Sequence, residues 1–125
     1  MIGIIVVTHG NLSIELIQST EMIIGKQSYL ESVSFLKSDG CEVLQQKINQ
    51  SIKKIGEEKE IIFFVDIYGG SCFNMCQLEL QKRKNVRIVS GVNLPMLLEV
   101  CLYKNSKNID ELVNISITKG QKGIK

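Results

Sequence analysis

A chain of 125 residues has room for one domain with a single core, and too few residues for two domains of ordinary size. Hydrophobic residues at 44% against 22% charged argue against a disordered or fibrous chain, and a net charge of +2 with scattered lysines and no interleaved aromatics leaves no case for a nucleic-acid surface. No apolar run approaches the roughly 20 residues of a spanning helix, and Met1-Ile2-Gly3 leads into a strand without a basic leader, so a cytoplasmic location is expected.

In chain order, Ile4-Ile5-Val6-Val7 is a β-branched run without alternation, the mark of a strand buried on both faces, and Thr8-His9-Gly10 falls where that strand ends. His9 is the only histidine. Leu12, Leu16, Ile17, Thr20, Ile23 and Ile24 then recur at helical spacing, with Gly25 placed to end the helix. Tyr29 to Phe35 is shorter and more polar, as an edge strand would be. Asp39 and Glu42 suggest a capping box ahead of Val43, Leu44, Ile48, Ile52 and Ile55, and Gly56 is the stop.

Ile61-Ile62-Phe63-Phe64-Val65-Asp66 repeats the first strand's design, an apolar run ending in one ionisable side chain. Gly69-Gly70-Ser71 makes a turn in which Ser71 can cap a helix from Cys72 to about Lys82. Val86 to Ser90 is a fourth strand, and Pro95 suits the first turn of the helix carrying Leu97, Leu98, Cys101 and Leu102. Asn108 and Glu111 open a last helix through Ile109, Leu112, Val113 and Ile117, with Gly120 as its stop. Cys41, Cys72, Cys76 and Cys101 show no CxxC pair and read as reduced packing residues; with one histidine and no clustered ligands, no metal site is expected.

Strands alternating with helices give an α/β class with a doubly wound, mainly parallel four-stranded sheet and helices on both faces, residues 1–125 forming one domain. The commonest small order, 2-1-3-4, makes strands one and three neighbours, so His9 and Asp66 flank the crevice where ligands collect in such sheets. A carboxylate that holds Nδ1–H leaves Nε2 unprotonated and nucleophilic, and it stabilises positive charge developing on the ring. Gly69, Gly70 and Ser71 precede a helix whose free N–H groups and dipole suit a phosphate. Together these parts suit phosphoryl transfer to and from His9, with no cofactor required. Each part also has a plain structural reading: a histidine in a loop, an aspartate capping a turn, a common Gly-Gly-Ser turn. Asn93 reads equally as crevice lining or as an ordinary turn residue.

The segments IIVVTHG at 4–10, VDIYGGSCFN at 65–74 and GVNLPMLLE at 91–99 resemble the IIA domain of the mannose-family sugar phosphotransferase system, with TEMIIGKQ at 20–27 and DELV at 110–113 in register. The resemblance implies that His9 is phosphorylated at Nε2 by the histidine-containing phosphocarrier protein and passes the group to a IIB domain, serving membrane IIC and IID components. It implies that Asp66 pairs with His9 and that Ser71 starts the phosphate-binding helix, with Thr8, Gly10, Tyr68 and Asn93 as candidate lining. It also implies a cytoplasmic homodimer, with a C-terminal antiparallel strand exchanged between subunits. Tyr68 and Cys72 stand where the family usually has tryptophan and proline. Two alternatives stand beside this reading: the phosphotransfer subunit of a dihydroxyacetone kinase, and a non-catalytic regulatory module on the same fold. A histidine phosphatase is disfavoured, because the arginine that precedes the histidine in such enzymes is Thr8 here.

Overall fold

Strand β1 (Gly3–His9) lies inside a four-stranded parallel sheet of order β2-β1-β3-β4, with β2 at Leu30–Phe35, β3 at Ile61–Val65 and β4 at Val86–Val89. The computed structural model describes residues 1–125. Five helices connect and cover the strands: α1 (Leu12–Ile24), α2 (Cys41–Ile55), α3 (Ser71–Lys82), α4 (Leu94–Tyr103) and α5 (Ile109–Lys122). None is long and apolar enough to cross a membrane.

Side chains alternate across a strand, and both inner strands feed two cores. Ile2, Ile4 and Val6 pack with Ile62 and Phe64 against α1, α4 and α5. Ile5 and Val7 pack with Ile61, Phe63 and Val65 against α2 and α3. This two-sided burial is why the runs at 4–7 and 61–65 show no polar alternation. In the outer strands, by contrast, only Leu30 and Val33, and Val86 and Val89, are buried.

Several helix ends follow the sequence signals. Gly25 (φ 87°) and Gly56 (φ 125°) end α1 and α2, their N–H groups donating to the carbonyls of Glu21 and Ile52. Asn108 and Glu111 form a reciprocal capping box at α5, and Pro95 sits in the first turn of α4.

Three ends differ from expectation. Asp39 does not cap α2; Gly40 does, and the Asp39 carboxylate instead accepts from Leu36 N–H at 2.9 Å and from Lys47 Nζ at 2.6 Å, closing the preceding turn. Ser71 is the first residue of α3 and makes no side-chain cap, Gly70 holding the N-cap position. Helix α5 runs through Gly120 to Lys122, and Gly120 marks instead a close approach of α4, where an added Cβ would lie 2.7 Å from the Met96 side chain. In α1, Leu12 and Ile23 are exposed, and Leu16, Ile17 and Ile24 make the inward contacts. No fifth, C-terminal strand adjoins the sheet.

The register positions the carboxyl ends. Val7 pairs with Val65, so Asp66 emerges beside the end of β1, while His9 pairs with Phe35 on the other side. The last residue of β1 therefore stands between the ends of its two neighbours.

Candidate active site

His9 is held by one carboxylate oxygen. Asp66 Oδ2 accepts from the His9 backbone N–H at 2.9 Å and lies 2.8 Å from ring Nδ1, while Oδ1 accepts from Ile67 N–H at 3.0 Å. Burial raises the Asp66 carboxyl pKa, but the bonds from the His9 backbone and ring, the ring's charge and the Ile67 N–H together outweigh it, and the net shift is downward. An ionised carboxylate can only accept, so Nδ1 carries a proton, and Nε2 is the nitrogen left to present a lone pair when the ring is neutral. The His9 side chain is 45% exposed and that of Asp66 13%, an open nitrogen on a guarded partner.

Two further side chains confine the ring. Phe35, at the end of β2, meets it nearly edge-on with centroids 5.6 Å apart and an interplanar angle of 70°. Cys72, wholly buried, places Sγ 3.9 Å from Nδ1. Burial, and then the negative charge of Asp66, push the Cys72 thiol up to about 12, so it is a neutral S–H. The sequence reading gave Cys72 a packing role and gave Phe35 none. Phe35 ends the strand beside β1 and Cys72 lies in the first turn of the helix that follows Asp66, but only the register of β2 and the inward face of α3 bring them to the ring.

The start of α3 lies against the same ring. A Cβ at Gly70 would lie 3.5 Å from His9 Cε1, ordinary contact distance, and 3.2 Å from the Ile67 side chain, so the turn is packed against the imidazole. Gly69 adopts φ 83°, a conformation open to glycine at little cost, and this turns the chain into the helix. No side chain caps α3, and its first turn offers backbone N–H groups and the positive end of the helix dipole beside the ring. Ser71, half-buried, begins that turn. Tyr68 is 80% exposed and rests on Phe73, ring centroids 4.6 Å apart, as an aromatic surface at the rim.

Two of the expected lining residues have other contacts. Thr8 is fully buried, and its Oγ1 accepts from Ser13 N–H at 2.7 Å; being even-numbered in β1, it points to the α1 face, opposite His9. Asn93 caps α4 through Met96 N–H and donates to the Gly120 carbonyl, which commits its side chain to the α4–α5 junction. Gly10, exposed at φ 60°, turns the chain after His9 and donates its N–H to the Phe35 carbonyl at 2.9 Å. The arrangement as a whole is an oriented imidazole at the surface, beside a helix start able to receive an anion.

The matching family model is described as PTS system fructose IIA component and covers residues 3–117. The fructose-specific EIIA component of the phosphotransferase system of Bacillus subtilis is 38% identical over 91% of this chain and 78% of its own length. The mannose-specific EIIAB component of Escherichia coli K12 is 31% identical over 99% of this chain, which spans 39% of that longer relative. A crystal structure of phosphotransferase system component EIIA from Streptococcus agalactiae superposes with a TM-score of 0.91 at 30% identity, covering 100% of this chain and 96% of that one.

Proposed function

The chain belongs to the fructose IIA component family of sugar phosphotransferase systems, whose members carry phosphoryl groups in sugar uptake, and from that premise we propose that His9 is the residue that carries the phosphoryl group. The observation that bears most weight is the 2.8 Å contact of Nδ1 with Asp66 Oδ2, which leaves Nε2 as the free nitrogen. In this reading Nε2 attacks the phosphorus of a phosphohistidine on the histidine-containing phosphocarrier protein. One N–P bond forms as the donor's N–P bond breaks, and the donor ring keeps the electron pair. His9 retains its Nδ1 proton throughout. The phosphorylated ring is cationic, and the carboxylate of Asp66 offsets that charge. Backbone N–H groups at Gly70, Ser71 and Cys72 receive the phosphoryl oxygens. The reverse displacement hands the group to a IIB domain, and the longer EIIAB relative, aligned over 39% of its length, supports such a partner.

Residues 1–125 act in this proposal as one IIA domain in the cytoplasm, with membrane IIC and IID components further along the relay. It works as a homodimer: β4 is an edge strand, and a groove of about 430 Å³ beside it is lined in part by Ile88, Met96, Ile117 and Ile124, apolar surface that a second copy would cover. The relatives' names are those of fructose and mannose systems, which favours sugar uptake over the dihydroxyacetone kinase alternative.

Incubation with phosphoenolpyruvate, enzyme I and the phosphocarrier protein tests the central step. One acid-labile phosphate per chain is expected, and none on His9→Ala. Labelling that persists in His9→Ala ends the assignment of the carrier residue, and a wild type that takes no label at all favours a regulatory module instead.

A further inference from the structure

Phosphoryl chemistry at this site uses His9 and Asp66, yet the structure sets a third donor beside them. Cys72 Sγ is 3.9 Å from His9 Nδ1, Nδ1 is 2.8 Å from Asp66 Oδ2, and the three atoms all lie within 4.8 Å of one another. A tetrahedral zinc ion, with bonds of about 2.0 Å to nitrogen and oxygen and about 2.3 Å to sulfur, spaces such donors roughly 3.3 to 3.6 Å apart. The nitrogen–oxygen pair would open by about half an ångström, the nitrogen–sulfur pair would close by about as much, and the oxygen–sulfur pair, which lies within 4.8 Å, would close by up to about 1.3 Å, movements that side-chain rotation can supply. The geometry points to His9 Nδ1, Asp66 Oδ2 and Cys72 Sγ as a three-ligand site for a borderline-soft divalent cation such as zinc, its fourth position facing solvent, whose filling removes His9 from phosphoryl transfer.

The donor set selects the cation. An imidazole, a thiolate and a single carboxylate suit zinc or cobalt, whereas magnesium and calcium require shells built of oxygen. Protons balance simply, and no electron moves. The Cys72 thiol releases its proton to solvent as the S–metal bond forms, and the ring proton moves from Nδ1 to Nε2 as Nδ1 turns to the ion. A ring protonated at Nε2 has no lone pair there for phosphorus. That consequence rests on the function proposed above, whereas metal binding itself does not.

Cys41, the exposed thiol, would compete for metal, so the test uses a Cys41→Ser background. Titration with cobalt(II) alone is expected to raise a thiolate-to-cobalt band in the near ultraviolet, saturating at one equivalent, reversed by zinc and absent from Cys72→Ala and His9→Ala. Circular dichroism confirms that each variant is folded, and Cys72→Ser, close to isosteric, serves as the second thiol-free variant. It is expected to weaken zinc binding by at least about tenfold, the scale on which even outer-shell partners matter. Failure of the band to appear, or a band of equal strength in Cys72→Ala, overturns the site. Phosphoryl acceptance is then timed for each protein with and without one equivalent of zinc, so that each is its own reference. Zinc is expected to suppress acceptance in the Cys41→Ser protein and to spare Cys41→Ser/Cys72→Ala. Equal suppression in both overturns the link to His9, whereas absence of labelling before any zinc is added counts against the proposed function and leaves the cobalt result standing.

Discussion

Asp66 performs three tasks with two oxygens: it fixes the His9 backbone, holds the His9 ring and ties down the start of its own loop through Ile67. Asp66→Ala is therefore expected to lower the phosphoryl acceptance rate by at least about a hundredfold, the range in which a positioned acid or base contributes, while circular dichroism stays unchanged; unaltered kinetics would remove its orienting role. The same carboxyl links stability to pH. Its folded pKa lies below the ordinary 3.8, so the stabilisation it supplies is fully present above that value and is lost as pH falls through the lowered folded value. Denaturation of wild type and Asp66→Asn is expected to show its largest difference above about pH 5, narrowing in acid. A difference that grows in acid would have the wrong sign. His9 and Asp66 were legible in the sequence because each is the lone ionisable residue ending an apolar run. The contacts of Phe35 and Cys72 were not, since they depend on strand register and on which face of α3 turns inward.

At the scale of elements, the period of the side chains decided more than propensity did. The burial of Thr8 follows from the same two-residue alternation that turns His9 to the α2 and α3 side, so its place beneath the site could have been read from position parity. Gly120 shows a different kind of information. A glycine near the end of a helical pattern reads as a stop, yet here it is an interior residue made necessary by contact with Met96, which lies 24 positions earlier. No local signal separates the two cases. Gly120→Val is expected to destabilise the fold by about 1 to 3 kcal/mol in urea denaturation, as overpacking does, and a neutral or stabilised variant would show that the α4–α5 junction has room to yield. Where a cap relied only on neighbours in sequence, as at Asn108 and Glu111, the pattern was sufficient. At Asp39 it was not, because the carboxylate is taken up by Lys47 and the Leu36 amide, and Gly40 holds the N-cap position.

For the whole molecule, the order 2-1-3-4 followed from short right-handed connections, and it is the reason one site exists at all. It puts β1 and β3 side by side and sends their ends to the same edge, where residues 57 positions apart meet through a 2.9 Å backbone bond and a 2.8 Å ring contact. On the function proposed above, the ring contact chooses the nitrogen that accepts the phosphoryl group. Long-range nitrogen–proton correlation NMR of the phosphorylated chain, with labelled histidine, reads that choice directly. Phosphorus on Nε2 with a proton retained on Nδ1 is the expected spectrum, and phosphorus on Nδ1 would show that Asp66 does not make that choice.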